Sequence, residues 1–187
     1  MNDGHKFCGS DEWRAVVREQ VIPWALEGGV ELGDDVVEVG PGYGATTEVL
    51  QEMVARLTSV EIDPDLAAAL IEQYAPVAHV EVLEGDATAL TFADGRFSGA
   101  TSFSMLHHVP TAEAQDRIFA EAARVLRPGG VFVAVDSLGN DDLREFHDGD
   151  TYNPIDPASL SGRLRASGFT TVDVDTNEYA WKAVARS

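Results

Sequence analysis

An apolar run that ends in three alternating glycines constrains this chain more than any other feature. Val36-Val37-Glu38-Val39 leads into Gly40-Pro41-Gly42-Tyr43-Gly44, and a helical pattern follows. Glycine tolerates positive φ and leaves the backbone bare to a ligand. The amides left over at the start of the next helix attract electron-rich ligand atoms. A strand, a glycine turn and a helix in that order predict a cradle for a nucleoside-bearing cofactor.

The rest of the chain repeats the strand-then-helix rhythm. Strand-like runs at 36–39, 58–61, 80–83, 98–103 and 131–136 alternate with helix-like runs, which predicts parallel strands joined by helical crossovers. One helix has Asp63 as its cap and Pro64 at its first position, with Leu66, Leu70 and Ile71 on one face. Another has Thr111 as cap and buries Ile118, Ala122, Val125 and Leu126 before Arg127-Pro128-Gly129-Gly130 stops it. A third starts at Asp156-Pro157, buries Leu160 and Leu164 and ends at Gly168; runs 169–174 and 179–184 then read as two strands around Thr176-Asn177. Ahead of all these, Ser10 opens a helical pattern with Trp13, Val17, Val21 and Trp24 on one stripe, Asp11 and Glu12 at its positive end and Pro23 straining its far end. Residues 1–30 are therefore expected to be a helical segment, either core-facing or a lid, and 31–187 the remainder of one domain.

Charge excludes some partners. The 187 residues carry 32 acids against 13 Lys and Arg, a formal charge of -19, whereas nucleic acid and anionic membranes both require clustered cations. Cys8 is the only cysteine, so no internal disulfide is available. No signal peptide pattern and no apolar run of the roughly 20 residues needed to span a bilayer is present. The expectation is a soluble cytoplasmic protein.

These motifs, taken together, resemble the class I S-adenosylmethionine-dependent methyltransferases, and the resemblance covers nearly the whole chain. Glu38 to Gly44 fits the family's glycine-rich first motif, and Val60-Glu61-Ile62-Asp63 fits the acidic end of its second strand. Gly85-Asp86-Ala87 fits the acid after the third strand, Phe97 to His108 the fourth strand and its loop, and Leu126 to Gly130 the turn before the fifth. Among subgroups, the chain is most similar to small bacterial enzymes of the ubiquinone and menaquinone biosynthesis type. The resemblance implies a doubly wound, Rossmann-like α/β sheet of seven mostly parallel strands with an antiparallel last strand and helices on both faces. It also implies S-adenosylmethionine as methyl donor, S-adenosylhomocysteine as product, and a small-molecule acceptor served by a monomer or homodimer.

Glu61 follows Gly40 by about 20 residues, the offset of a ribose-binding acid, and a carboxylate there accepts two hydroxyl bonds. By resemblance, Asp86 takes the adenine amino group and the Ala87 amide a ring nitrogen. Gly40, Gly42 and Gly44, with Pro41 and Thr46 beside them, admit the methionyl part; Glu38 holds its ammonium directly or through water. Ile62, Ser102 and Phe103 complete the expected contacts.

His107 and His108 follow the fourth strand at the sheet's carboxyl edge, where one of them is a candidate proton acceptor if the methyl acceptor is a hydroxyl or an acidic carbon. His147 and Tyr152 fall in another substrate-facing stretch. A metal is not expected: neighbouring histidines seldom aim at one ion, and Asp136, Asp148 and Asp150 lack the spacing of a ligand series. Two alternatives remain at this level. A nicotinamide-dependent oxidoreductase shares the glycine turn and the ribose acid, although the glycines run G-x-G-x-G rather than G-x-G-x-x-G. A non-catalytic protein that only binds the cofactor is the other.

Overall fold

Consecutive residues of the first strand, β1 (Asp35–Val39), point to opposite faces, and both faces are apolar: Val36 belongs to one buried cluster, Val37 and Val39 to another. A strand buried on both sides requires helices above and below it. The computed structural model, which describes residues 7–187, has that build. Six further strands, β2 (Arg56–Glu61), β3 (Val80–Glu84), β4 (Phe97–Phe103), β5 (Leu126–Ser137), β6 (Thr171–Thr176) and β7 (Ala180–Arg186), join β1 in one sheet of order β3-β2-β1-β4-β5-β7-β6. The pairings among β1 to β5 are parallel, and β7 runs antiparallel to both β5 and β6. This is the expected doubly wound sheet with its one reversed strand.

The N-terminal segment comprises α1 (Asp11–Val16), a wider π-helical turn (Val17–Val21) and α2 (Ile22–Ala25). It lies on the same face as α3 (Ala45–Met53), where Val17, Ile22, Ala25, Val49 and Leu50 cover Val36, Leu57, Val131 and Val133. On the opposite face, Ile118, Phe119 and Ala122 of α5 (Ala112–Val125) and Leu160 and Leu164 of α7 (Pro157–Ala166) cover Phe132, Ala134 and Trp181. Helix α4 (Pro64–Tyr74) packs Leu70 and Tyr74 against Val82 of β3. Caps appear where the side chains call for them. The Asp63 carboxylate accepts from the amides of Asp65 and Leu66 at 3.0 and 3.1 Å, Thr111 from Ala114 at 3.1 Å and Asp156 from Ala158 at 2.9 Å.

The structure departs from expectation in four places. Pro23 does not strain the end of a regular helix: the turn before it is widened, with the Ile22 amide donating to the Val17 carbonyl. That relieves the clash a proline ring would make with the preceding turn. Leu126 leaves the helical stripe assigned to it and pairs with Phe97 as the first residue of β5, and Arg127 to Gly130 are taken up by a register shift against β4. A short helix α6 (Asp141–Phe146), capped by Asn140, lies in a stretch that carried no helical expectation. Finally, β6 starts at Thr171 because Phe169 turns into the core, and β7 runs on to Arg186. No helix among the described residues is long and apolar enough to cross a membrane.

Candidate functional site

The chain winds outward from β1 to β2 and β3, then crosses to β4 on the other side of β1. The gap at the carboxyl ends of β1 and β4 is where an open α/β sheet leaves a crevice. A cavity of about 490 Å³ lies there, lined by the glycine turn, the end of β2, Gly85 to Thr88 after β3, Phe103 to Met105 after β4, and the N-terminal segment. Its size falls within the usual range for small-molecule sites.

The glycine turn is shaped by its neighbours. Gly40, at φ +69°, is in contact range of Met105 from the β4 loop at the place where a side chain would stand. Gly44, at φ +79°, has a Leu70 methyl 2.6 Å from the position a Cβ would take. Gly42, at φ +56°, has nothing within 4 Å of that position, so its bare backbone is open to a ligand. The Gly42 amide donates to Glu61 Oε2 at 2.9 Å, and the Asp63 amide donates to Oε1 at 3.0 Å. Glu61 is 5% exposed and lines the cavity. It therefore couples the turn to the end of β2 while facing the ligand space.

Of the residues singled out from sequence, Gly40, Pro41, Gly42, Thr46, Glu61, Ile62, Asp86, Ala87, Phe103 and His108 stand on the cavity wall. Asp86 also folds its own loop, one oxygen accepting from the Thr88 amide at 2.8 Å. Glu38 lies elsewhere than expected. It is 1% exposed behind the turn, where Thr46, Thr47 and Ser59 donate their hydroxyls to its carboxylate, the last two at 2.7 Å. Burial pushes its carboxyl up from the ordinary value, opposed by those three hydroxyl bonds. Glu38 thus fastens β1, α3 and β2 together and does not stand on the cavity wall. Ser102 is likewise wholly buried within β4, off the wall, because its strand lies in the middle of the sheet with both faces covered.

Several wall residues carried no expectation as ligand contacts, including Tyr43, Asp63, Ser104 and Met105. Ser104 holds φ +51°, the one non-glycine among the described residues with a positive φ, at a cost of order 1–3 kcal/mol. Its amide donates to the Val135 carbonyl at 2.8 Å, which turns the chain sharply off β4. Neither that turn nor Met105's approach to Gly40 has a signal in sequence beyond following a strand.

Trp13, Val17 and Val21 form the remaining apolar wall with Cys8, whose thiol is pushed up by burial and so stays protonated at neutral pH. This wall is tied to α3 by Arg14, which donates to Glu48 at 2.7 Å, and by Arg18, which donates to Glu52 at 2.8 Å. Trp24, from the same stripe, lies away from the cavity under the Lys182 ammonium, 4.9 Å from its ring centre.

The histidines gather at one end. Leu106 to His108 form a single tight 3-10 turn that brings the rings of His107 and His108 to 4.1 Å, and His147 closes on them at 5.0 and 5.1 Å. His107 is 7% exposed; its amide donates to Asp136 at 3.0 Å and its Nδ1 lies 2.6 Å from the other oxygen of that carboxylate. Tyr152 stacks on His147 at 4.6 Å. Adjacent histidines were expected to diverge; here the tight turn keeps both rings together, and a third histidine arrives from after β5.

Comparison with known proteins agrees with this fold. The methyltransferase domain family matches residues 37–134, just over half of the chain. Ribosomal RNA small subunit methyltransferase A of Bordetella pertussis is 50% identical over 60 residues, 32% of this chain and 22% of that protein. The chain thus matches less than a quarter of the length of that curated relative. Among solved structures, a putative methyltransferase of Haloferax volcanii, in complex with a methyltransferase activator, superposes with a TM-score of 0.75 at 17% identity, covering 100% of this chain and 98% of that one. The trans-methyltransferase CalH, solved with S-adenosylhomocysteine, superposes with a TM-score of 0.67 at 20% identity over 87% of this chain and 53% of that one. This chain belongs to the methyltransferase domain family.

Proposed function

We propose that the protein methylates a small, largely apolar acceptor held between the N-terminal wall and the histidines. The carrying observation is that, besides the glycine turn, the cavity is lined by Trp13, Val17, Val21, Met105, Val109 and Ile118, with His108, Arg117 and Asp150 as polar side chains on the same wall. An apolar wall with few polar groups suits a small organic molecule. The formal charge of -19 opposes a phosphate backbone. Residues 1–187 act as one domain in this reading, in which the N-terminal segment supplies the acceptor wall.

The residues present fit the donor. Glu61 lines the cavity with a carboxylate suited to ribose hydroxyls, Asp86 and Ala87 line it with groups suited to an adenine edge, and Ile62 and Phe103 add apolar surface to the same cavity. Open backbone at Gly42, with Gly40, Pro41 and Thr46 around it, suits the methionyl end, and Gly44 starts α3 beneath it. When bound, the donor supplies a sulfonium with an activated methyl group. The chain's own part is alignment: the apolar wall excludes water, and His108, next to His107 on Asp136, is a polar group beside the acceptor's nucleophilic atom.

Calorimetry with S-adenosylmethionine, S-adenosylhomocysteine and NAD tests the donor, with binding of the first two and not the third as the expected result. Transfer of labelled methyl to a panel of small hydroxyl, amine and thiol compounds, run beside ribosomal RNA, tests the acceptor. Labelling of the RNA alone would overturn the small-molecule reading.

A further inference from the structure

We propose that His107, His108 and His147 bind one divalent cation of the zinc class at the acceptor end of the cavity. One ring nitrogen from each lies within 4.8 Å of the other two. Nitrogens 2.0–2.1 Å from a shared tetrahedral ion stand roughly 3.4 Å apart, so side-chain rotations that close the cluster by up to about 1.4 Å complete the site.

What favours a metal over a chance cluster is the hydrogen bonding behind the rings. The Asp136 carboxylate accepts at 2.6 Å from His107 Nδ1, and the Leu143 carbonyl lies 2.6 Å from His147 Nδ1. A carboxylate and a carbonyl can only accept, so both Nδ1 atoms carry the proton and Nε2 is the nitrogen each ring would offer to an ion. Metal-ligating histidines are oriented in this way, by a carboxylate or backbone carbonyl on the second nitrogen. The support extends further back. Tyr152 stacks on His147, the Asn153 amide donates to the His107 carbonyl at 2.7 Å, and Asp136 itself is 2% exposed. Three neutral imidazoles select zinc, cobalt or nickel over calcium or magnesium, which require oxygen ligands. His108 stands on the cavity wall, so a fourth coordination position faces the acceptor space.

The site's role in catalysis rests on the methyl-transfer reading, but its existence does not, and the test separates the two. The full chain, stripped with chelator and desalted, is titrated with Co²⁺ alone and followed by its visible absorption. The expected result is one equivalent bound with the spectrum of a four-coordinate ion, bleached by Zn²⁺. His147→Phe, which keeps a ring for Tyr152 to stack on, should abolish that spectrum. Asp136→Asn should weaken Co²⁺ about 10- to 100-fold. Calorimetry with S-adenosylhomocysteine on the stripped chain reports the donor site independently. Absence of stoichiometric uptake by the wild type, or equal uptake by His147→Phe, overturns the proposal. Should that variant fail to fold, His108→Phe, whose ring is only partly buried, takes its place with the same criteria.

Discussion

Glu61 shows how one residue carries two duties. Its carboxylate holds the amides of Gly42 and Asp63 and also faces the cavity. In the proposed reading, Glu61→Ala removes the acceptor for ribose, and it leaves the turn unsupported. Each buried group without a partner costs about 1–3 kcal/mol, so S-adenosylhomocysteine affinity should fall by 10-fold or more in calorimetry. Unchanged affinity would place the ribose elsewhere. At this scale much of the cavity wall was readable in sequence. Glu61, Asp86 and the glycines are named by offsets along the chain, and the chain's own geometry enforces those offsets. Glu38 and Ser102 were misplaced because strand alternation decides which way a residue points, and a period of two is not visible in strands buried on both faces. The meeting of His107 with His147 depends on two loops from separate strands, and no local signal encodes it.

Between residue and molecule, the elements are held by networks of the kind formed by Arg124 of α5. It donates to Glu121 at 2.7 and 2.8 Å, to Asp94 at 2.7 Å and to the carbonyls of Leu90 and Phe92, fastening the loop before β4 to the helix. The Arg124 guanidinium holds the Glu121 carboxyl below its usual range against a smaller opposing effect of burial. A depressed carboxylate contributes stability above its unfolded pKa, and that contribution is lost as pH falls through the folded one. Glu121→Gln should therefore cost about 1 kcal/mol at pH 7, a fall in Tm of roughly 2–4 °C, and the gap to wild type should close below about pH 4. Thermal melts across pH check it; a gap that persists in acid would assign the cost to packing. The elements themselves were largely legible, because Asp63-Pro64, Thr111 and Asp156-Pro157 are strong helix starts. Helix α6 is short and buries none of its residues, so it left no apolar period to read.

Over the whole molecule, net charge is the most direct lever. With a formal charge of -19, the folded state repels itself and repels polyanions alike. Added NaCl should raise Tm, and filter binding to ribosomal RNA should stay undetectable even at low salt. Salt-sensitive RNA retention would reveal a cationic path that the summed charge conceals. The order of the sheet adds a mechanical property. Lys182 of β7 donates to the carbonyl of Trp24 at 3.0 Å and pairs with Glu27 at 3.2 Å, while β7 itself is wedged between β5 and β6. Segments far apart in the chain are thus clamped side by side. A single protease cut at the exposed Asp148-Gly149 bond would leave two fragments that migrate as one particle on a native gel and part only in denaturant.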